Sequence, residues 1–364
     1  MNVYHIAVLG GGPAGTAAAI TAARQGARVL LLERSRFPRH KVCGEFVSAE
    51  SLGLLGALLG STSGAALLAD APRMNRARIF LDGAMVQAPL PAPAASIERY
   101  SLDLALWRAA ESAGVDTRQQ TAANKLTRKD RNWRVETSAG DFLSRSVIDA
   151  SGRWSNLRAS PAPAEFSVGV KAHLASDIAE PDTVDLYFFR RGYCGVSRVN
   201  RDEVNLCAML SSAELRSSRE QPLQRILAAH PDLQQRSAHW RRTSEVVITS
   251  PLVFRAVAPA ENAVLRAGDA AGFIDPFAGD GISLALRSGT LAAQCLREVW
   301  QDGCDVDLAA REYSAAYRQQ FAKLFRRTAL LRRAIATPLV LHAVRSGILR
   351  ESMLNFLIKA TRAR

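Results

Sequence analysis

The sequence predicts an α/β fold that begins with a strand–turn–helix–strand unit and ends in a basic helical segment. Residues 5–9 form a short apolar run without helical period, which is typical of a buried strand, and the glycine-rich stretch 10–15 follows directly. The Ala-rich residues 16–25 predict a helix, and residues 28–32 predict a second buried strand that ends at Glu33. Together these pieces match the fingerprint of a dinucleotide-binding unit.

Each part of this unit has a mechanical role in binding a dinucleotide. Gly10 makes the tight turn, Gly12 lets the backbone approach a pyrophosphate, and Gly15 lets the helix pack close to the strand. The helix N-terminus offers free N–H groups to the phosphates. The Glu33 carboxylate can accept from ribose hydroxyls, and its negative charge disfavours a 2′-phosphate at this position.

Composition limits the classes of function. The 364 residues suggest about two domains, and 48% hydrophobic residues suffice for a sizeable core. The net charge is +13, but residues 318–364 hold 11 Lys/Arg and one acid and so carry +10 of it. The sequence holds no helix-turn-helix, zinc-finger or RNA-binding signature, so we expect no nucleic-acid partner.

Targeting signals and cysteine usage favour a cytoplasmic protein. No basic region precedes the first apolar run, as it would in a signal peptide, and no stretch approaches the ~18 apolar residues of a membrane span. The five cysteines include no Cys-x-x-Cys pair, which predicts a reduced compartment. Histidines such as His173 and His230 are scattered without ligand spacing, so we expect no metal and no paired histidine.

The first half of the chain continues with loop, helix and hairpin signals. Residues 34–48 are basic and contain Pro and Gly, which indicates a loop whose Arg39 and Lys41 face either solvent or the nucleotide. Residues 52–68 predict a helix, and residues 76–93 predict two strands around Asp82-Gly83. Three prolines are expected to mark an exit loop, namely Pro89, Pro91 and Pro93.

A second glycine-rich turn lies in residues 268–281. A predicted strand over residues 264–269 ends in Gly-Asp, and a helix is predicted from about Ile282, so another helix N-terminus is available to an anion. Residues 166–257 are strand-rich, with one helical insertion near residues 222–230. The dinucleotide-binding pieces and the strand-rich pieces therefore interleave along the chain.

Four blocks of residues carry a resemblance to a known family. They are residues 10–15 with Glu33, residues 41–44 (Lys-Val-Cys-Gly), Arg99 with Asp103, and residues 268–289. In this order they resemble the glutathione-reductase-type flavoproteins of the para-hydroxybenzoate hydroxylase fold, and most of all the geranylgeranyl reductase family. The resemblance implies an α/β fold in which an FAD-binding Rossmann domain is interleaved with a β-sheet substrate domain and followed by a helical C-terminus.

The resemblance also implies where FAD binds. It places Glu33 on the adenosine ribose, Asp269 near the ribityl-phosphate region, and the backbone of residues 279–282 against the flavin pyrimidine. By position, the Ala123 backbone faces the adenine, and Cys43 is either an active-site thiol or an inert buried cysteine. The residues assigned to FAD are Gly10, Gly12, Pro13, Ala14, Gly15, Glu33, Arg34, Lys41, Arg99, Ala123, Gly268, Asp269, Pro276, Gly279, Gly281 and Ile282.

These assignments divide the chain into interleaved parts. The expected FAD-binding domain comprises residues 1–75, 96–160 and 259–304, and the expected substrate domain comprises residues 76–95 and 161–258. Residues 305–364 form a basic helical C-terminal segment, in which Pro338 is expected to interrupt the helix. This segment either packs on the FAD-binding domain or makes a peripheral membrane contact. Its predicted apolar face consists of Tyr313, Tyr317, Phe321 and Leu324.

Departures from the family's pattern bear on the chemistry. Many relatives have Asp-Gly in the middle turn, whereas Ser151 precedes Gly152 here, so NAD(P)H is only one candidate electron donor beside a protein donor. The Tyr-x-Trp-x-Phe-Pro segment of archaeal prenyl reductases corresponds best to residues 193–198, which lack its Trp, Phe and Pro, so a long prenyl substrate is not required. The chain has no Trp-x-Trp pair, which disfavours a flavin halogenase.

The leading functional hypothesis is an FAD-dependent oxidoreductase that acts on a lipophilic or aromatic small molecule. A hydride would pass between flavin N5 and a substrate carbon, in double-bond reduction or desaturation. The first alternative is a flavin monooxygenase or hydroxylase, because the fold serves both chemistries. The second alternative is a membrane-surface flavoprotein that relays electrons from a protein donor to quinone.

Overall fold

The computed structural model describes residues 3–60, 63–81, 83–153, 157, 165–176, 182–216 and 221–335. The strands are β1 (Val3–Leu9), β2 (Val29–Leu32), β3 (Phe46–Val47), β4 (Arg73–Leu81), β5 (Ala84–Ser96), β6 (Asp116–Arg118), β7 (Ala123–Lys129), β8 (Asn132–Thr137), β9 (Gly140–Asp149), β10 (Ser167–Ala175), β11 (Thr183–Phe189), β12 (Gly192–Arg198), β13 (Glu203–Ser211), β14 (Arg241–Arg242), β15 (Val247–Leu252), β16 (Ala260–Glu261) and β17 (Val264–Arg266). The helices are α1 (Pro13–Arg24), α2 (Ala49–Leu59), α3 (Ser63–Ala69), α4 (Arg99–Ser112), α5 (Ser212–Arg216), α6 (Pro222–Leu227), α7 (Pro231–Arg236), α8 (Gly281–Cys295), α9 (Arg297–Gln301) and α10 (Val306–Ile335).

The first sheet, here called the parallel sheet, has parallel strands in the order β17-β9-β1-β2-β6. Strand β16 pairs antiparallel with β17, and β7 and β8 extend β9 as an antiparallel meander. Val8 of β1 aligns with Leu31 of β2 and with Ile148 of β9, and all three side chains are fully buried. Strands buried on both faces appear in sequence as continuous apolar runs, which is why these strands are predictable.

Helices α1 and α8 pack against each other at backbone distance. A Cβ atom at Gly289 of α8 would lie 2.0 Å from the carbonyl oxygen of Ala14 in α1. A Cβ atom at Gly15 would lie 1.8 Å from the carbonyl oxygen of Gly10. Only glycine fits at these two positions, so the predicted packing role of Gly15 is what the structure shows.

The second sheet, here called the mixed sheet, has the strand order β14-β10-β13-β12-β11-β4-β5-β3, with β15 also paired to β10. Its pairs are antiparallel except the parallel pair of β4 and β11. Leu223 and Ile226 of α6 and Leu233 of α7 join the buried cluster on one face of this sheet. Side chains on its other face line a cavity, so the sheet separates a packed layer from a binding surface.

The three prolines that we expected in an exit loop lie within β5 instead. The pairing register between β4 and β5 shifts between Met74 and Arg76, so Pro91 and Pro93 fall at an irregular part of the ladder. A strand tolerates residues without an N–H at such a position, because no ladder bond is lost. The hairpin itself is confirmed, although Asp82 of its turn lies outside the described residues.

Some helices and strands were also predicted with the wrong bounds or not predicted at all. Residues 52–68 fall in two helices, α2 and α3, because α2 ends at Leu59. The insertion near residues 222–230 is accompanied by the short helices α5 and α7. Strand β7 has no clear signal, because most of its side chains are exposed and so follow no apolar pattern.

Helix α10 packs its apolar face into the core of the parallel sheet. Tyr313, Tyr317, Phe321 and Leu324 are at most 5% exposed, so this face is not available to a lipid surface. Residues 336–364, including Pro338, lie outside the described residues. Across the described ranges, every helix is too short or too polar to cross a bilayer.

Candidate functional site

The glycine-rich turn after β1 is closed by the Glu33 carboxylate at the end of β2. Its Oε2 accepts a hydrogen bond from the Gly11 N–H at 2.8 Å, and its Oε1 accepts one from the Ser35 N–H at 2.9 Å. Arg39 Nη2 lies 3.2 Å from Oε2. Burial raises the pKa of Glu33, but Arg39 and the two N–H donors outweigh it and hold that pKa below its ordinary value. The carboxylate therefore stays ionised beside the turn.

A small cavity of about 80 Å³ lies beside this turn. Gly10, Glu33, Arg34 and Ala123, all assigned to FAD from the sequence, line it. The cavity is thus bordered by the ends of β1 and β2 and by the start of β7. This is the position that the resemblance implies for the adenosine end of FAD.

A larger cavity of about 490 Å³ lies between the parallel sheet and the mixed sheet. The two cavities share Gly12, Lys41 and Ala150, so they adjoin. Gly15 lines neither of them, because it serves helix packing. The larger cavity is lined by these predicted FAD residues: Gly12, Pro13, Ala14, Lys41, Arg99, Gly268, Asp269, Pro276, Gly279, Gly281 and Ile282.

The junction of the two cavities suits an anionic group such as a pyrophosphate. Helix α1 begins at Pro13, next to Gly12 of the junction, and α8 begins at Gly281 in the large cavity. Neither N-terminus has a side-chain cap, so the first N–H groups of α1 are available to an anion at the junction and those of α8 to a group in the large cavity. A Cβ atom at Gly281 would meet no atom within 4 Å, which shows open space at the start of α8. The residues present therefore fit a dinucleotide such as FAD.

Lys41 adds a positive charge at this junction. The Lys41 side chain is surrounded by protein and exposed only to the space of the cavities. It forms no hydrogen bond or salt bridge with any described residue. Burial, together with the charges of Arg39 and Arg99, lowers the pKa of Lys41 to about 8. A bound phosphate would supply the missing partner and favour the charged form.

Glu45, Lys171 and His173 form a buried cluster that the sequence did not reveal. Glu45 Oε1 accepts hydrogen bonds from Lys171 Nζ and, at 2.8 Å, from the Arg99 N–H, while Oε2 lies 2.8 Å from His173 Nε2. The expectation of an unpaired His173 is therefore wrong. Burial alone would raise the pKa of Glu45. The lowering effects of His173 and Lys171 are larger together, so this pKa lies below its ordinary value. The cluster ties the loop before β3 to β10 and to the start of α4.

Asp269 and the middle turn also border the large cavity. The Asp269 carboxylate lies 3.6 Å from Arg153 Nε, so it is shared between the cavity and this arginine. Asp149 Oδ1 accepts hydrogen bonds from the Ser151 N–H, at 3.1 Å, and from the Ser151 hydroxyl. Ser151 thus closes the turn directly before Gly152.

The half of the large cavity that faces the mixed sheet is apolar. Among the residues that this sheet contributes, Tyr193, Ser197 and Cys207 carry the O–H and S–H groups. The apolar side chains include Ala77, Ile79, Leu81, Leu90, Val184, Leu186, Phe188, Met209 and Leu252. An apolar or aromatic molecule would lose its water-exposed surface here.

Cys43 lies where the two halves of the cavity meet. Its Sγ accepts a hydrogen bond from the Glu45 N–H at 3.3 Å, and its carbonyl oxygen accepts one from Asn205 Nδ2 at 3.0 Å. The thiol is thus held at the cavity wall, and its catalytic role stays a prediction. Within the described residues, no three His, Cys, Asp or Glu side chains are grouped so as to hold a metal ion.

Tyr193 and Asp275 form a second pair that the sequence did not reveal. The Tyr193 hydroxyl donates to Asp275 Oδ1 at 3.1 Å, and both residues are buried. Burial raises the pKa of Asp275 to about 6. An acidic residue directly before the Pro276 turn was the available signal, but no sequence pattern links it to β12.

Comparison with known proteins agrees with this geometry. Residues 5–174 match the family described as FAD dependent oxidoreductase. The menaquinone reductase of Mycobacterium tuberculosis is 27% identical over 321 residues, which cover 80% of this chain and 76% of that protein. Conditioned medium factor receptor 1 of Dictyostelium discoideum is 23% identical over 349 residues, which cover 83% of this chain but 64%, less than two thirds, of that protein.

Solved structures share the fold. A geranylgeranyl bacteriochlorophyll reductase-like protein from Thermoplasma acidophilum superposes with a TM-score of 0.76 at 21% identity, covering 100% of this chain and 92% of its own. Flavin-dependent halogenases have the same fold. The two sheets, the glycine-rich turn with Glu33 and the family match together confirm the predicted fold and cofactor class. Residues 5–174 thus match the FAD dependent oxidoreductase family, and the chain has the fold of the geranylgeranyl reductase-like protein.

Proposed function

We propose that this oxidoreductase reduces, or in the reverse direction forms, a carbon–carbon double bond in a lipophilic or aromatic small molecule. The observation that carries the proposal is the apolar wall of the mixed sheet, which faces residues 276–282 across one cavity. The mixed sheet and this turn are in contact at Gly279, because a Cβ atom there would lie 2.8 Å from the Phe46 ring of β3. A substrate on this wall would lie against the flavin end of the site.

The chain's own residues hold and polarise the cofactor in this proposal. Bound FAD supplies a hydride donor or acceptor at N5. Lys41 and the N-terminus of α1 would bind the pyrophosphate, and the Glu33 carboxylate would bind the ribose. The N–H groups at the start of α8 would stabilise negative charge on the reduced flavin.

The names of two similar proteins support a lipophilic substrate. One relative is named a menaquinone reductase, and one structural neighbour is named after a geranylgeranyl bacteriochlorophyll reductase. Both names denote reduction of molecules with large apolar parts. We propose NAD(P)H or a reduced redox protein as the electron donor, and a peripheral membrane contact through the basic C-terminal segment as the route to a lipophilic substrate.

A single-turnover experiment tests the reaction. The full chain, loaded with FAD, is reduced anaerobically with dithionite and mixed with menaquinone or with a geranylgeranyl lipid. We expect the flavin to be reoxidised and, after air has returned any quinol to quinone, mass spectrometry to show a product still heavier by two hydrogens. Gly195→Leu fills the apolar half, since a Cβ atom there meets its neighbours at ordinary contact distances of 3.5 Å or more, and should abolish turnover while FAD stays bound.

The alternatives give different products in the same assay. A monooxygenase would consume oxygen and release a hydroxylated product once air is admitted. An electron carrier would convert quinone to quinol without saturating any side-chain double bond. NADH and NADPH, offered in place of dithionite, show whether either nucleotide reduces the flavin. Either alternative product, found without a saturated one, would contradict the proposal.

A further inference from the structure

We infer that Tyr193, backed by Asp275, is the acid that protonates the substrate carbon that does not receive the hydride. The inference rests on the proposed double-bond reduction, in which one hydride and one proton add across the bond. Tyr193 lies on β12 in the wall of the large cavity, and its hydroxyl is 3.1 Å from Asp275 Oδ1. Asp275 directly precedes the turn that leads to Gly279 and α8, so the pair lies close to the flavin end of the site.

The other acidic groups of this wall are less suited to the task. Burial raises the pKa of the Cys207 thiol as it does that of Tyr193, but within the described residues no hydrogen bond links this thiol to a group that could return a proton to it. Ser197 is an aliphatic alcohol, whose acidity is weaker than that of a phenol. Of the three O–H and S–H groups that the mixed sheet contributes to the described cavity, only the Tyr193 hydroxyl is bonded to a carboxyl group.

The surroundings of Asp275 favour a stored proton. The residue is 4% exposed, and burial raises its pKa to about 6, against the lowering effects of the Phe277 N–H, the Tyr193 hydroxyl and the Arg332 charge on α10. On the Tyr193 side, the facing titratable groups are Asp275 and Cys207 of β13, and burial raises the pKa of Tyr193 well above its usual value. A protonated Asp275 can therefore persist in a weakly acidic solution.

Protonation of Asp275 reverses the hydrogen bond and frees the tyrosine proton. A neutral carboxyl group donates its O–H to the Tyr193 oxygen, so the phenolic proton can point into the cavity. When the substrate carbon takes that proton, the phenolic O–H bond breaks and a C–H bond forms. The Asp275 O–H bond then breaks as the Tyr193 O–H bond re-forms, and the carboxylate takes a new proton from solvent. The electron pair of the other new C–H bond comes with the hydride of the reduced flavin.

The test compares Tyr193→Phe with Tyr187→Phe in the FAD-loaded full chain. Tyr187 lies on the neighbouring strand β11, is fully buried and donates no group to the cavity, since its hydroxyl bonds Arg236 on the other face of the sheet. We expect Tyr193→Phe to slow single-turnover product formation by about 100-fold or more, the usual contribution of a general acid, with FAD and substrate dissociation constants unchanged. Tyr187→Phe should keep the parental rate. In the parent, the rate should fall tenfold per pH unit above about pH 6, whereas Asp275→Asn should be slow and independent of pH.

An infrared titration supplies a readout that does not depend on turnover. We expect a protonated carboxyl band that disappears with a midpoint near pH 6 in the parent and is missing in Asp275→Asn. A Tyr193→Phe variant as fast as an active parent, or an Asp275 carboxyl already ionised at pH 5, would overturn the inference and leave the proposed function intact. A parent that saturates no offered substrate would overturn both.

Discussion

The Nε and Nη2 atoms of Arg99 each lie 2.7 Å from a carboxylate oxygen of Asp103, one turn further along α4. Arg39 Nη1 lies 3.3 Å from the same carboxylate, so one aspartate holds two arginines at the wall of the site. Asp103 is fully buried, and both arginine side chains are nearly so. This arrangement orients Arg99 toward the cavity and fixes the loop that carries Lys41.

We expect Asp103→Asn to destabilise the protein by about 3–5 kcal/mol, because it leaves the buried Arg99 guanidinium without its counter-charge and removes one of the two carboxylates that hold Arg39. Urea unfolding monitored by circular dichroism measures the change. The matched control is Asp141→Asn, which removes the partner of the exposed Arg134 and should change stability little. Equal effects of the two substitutions would show that the Asp103 cluster contributes no more than a surface pair.

The second prediction concerns the two carboxylates assigned to FAD. Glu33→Gln should weaken FAD binding by about 1–3 kcal/mol, because it removes a charge-assisted acceptor for the ribose and loosens the Gly11 turn. Asp269→Asn should weaken binding at least as much. Flavin fluorescence titration of the apoprotein measures both affinities. Parental affinity in both variants would mean that FAD binds in another mode.

The third prediction contrasts two helical glycines. Gly289→Ala should destabilise the protein and reduce its FAD content, because the new Cβ atom would lie 2.0 Å from the Ala14 carbonyl oxygen and push α8 away from α1. Gly53→Ala, in the exposed part of α2, meets no atom within 4 Å and should stabilise the protein by up to about 1 kcal/mol. Thermal unfolding and the flavin-to-protein absorbance ratio measure the two effects. An unchanged Gly289→Ala protein would contradict the close approach of the helices.

The fold was predictable where its signals are local. Apolar runs identify β1 and β2, and the glycine-rich turn with Glu33 identifies the nucleotide end of the site, because each lies within a few residues of the next. The buried cluster of Glu45, Lys171 and His173 has no such local signal. Glu45 meets Lys171 and His173 across 126 and 128 residues of chain, and only the pairing of the loop before β3 with β10 brings them together.

The same reason explains the error at the prolines and why two alternatives stayed open for the C-terminal helix. A proline pattern cannot distinguish a loop from a bulged strand, since both tolerate a missing N–H. An amphipathic helix shows an apolar face in its sequence but not the surface that covers it, and in α10 that surface is the protein core.

The fourth prediction follows from the raised pKa of Asp275, which burial moves to about 6 from an ordinary value near 3.9. The folded state binds the proton more tightly, so ionisation of Asp275 lowers stability as the pH rises from about 4 to about 6. Asp275→Asn removes this loss and keeps an acceptor for Tyr193. We therefore expect the variant to be more stable than the parent at pH 8, by about 1–3 kcal/mol, and not at pH 4.

Thermal unfolding across this pH range measures the difference. The exposed Asp302 provides the control, because Asp302→Asn removes a carboxylate without altering a buried one. A gain in stability for Asp275→Asn that does not depend on pH would contradict the raised pKa.

The last prediction concerns the end of α10 and an anionic membrane surface. Leu330 is 63% exposed, its neighbour Leu331 lines the large cavity, and the nearby Arg326, Arg327 and Arg333 are exposed. Each Lys or Arg near the surface of an anionic bilayer is attracted to it by about 1 kcal/mol. This end of the helix, with the basic residues that follow it, should therefore bind such lipid.

We expect the protein to float with anionic liposomes at low salt, to be released from them at high salt, and not to bind neutral liposomes. Leu330→Glu should weaken flotation, whereas Leu308→Glu, at another exposed position near the start of the same helix (45% exposed), should not. If the protein stays in the soluble fraction with anionic liposomes at low salt, the basic residues are only a solvated surface, and a lipophilic substrate must reach the cavity by another route.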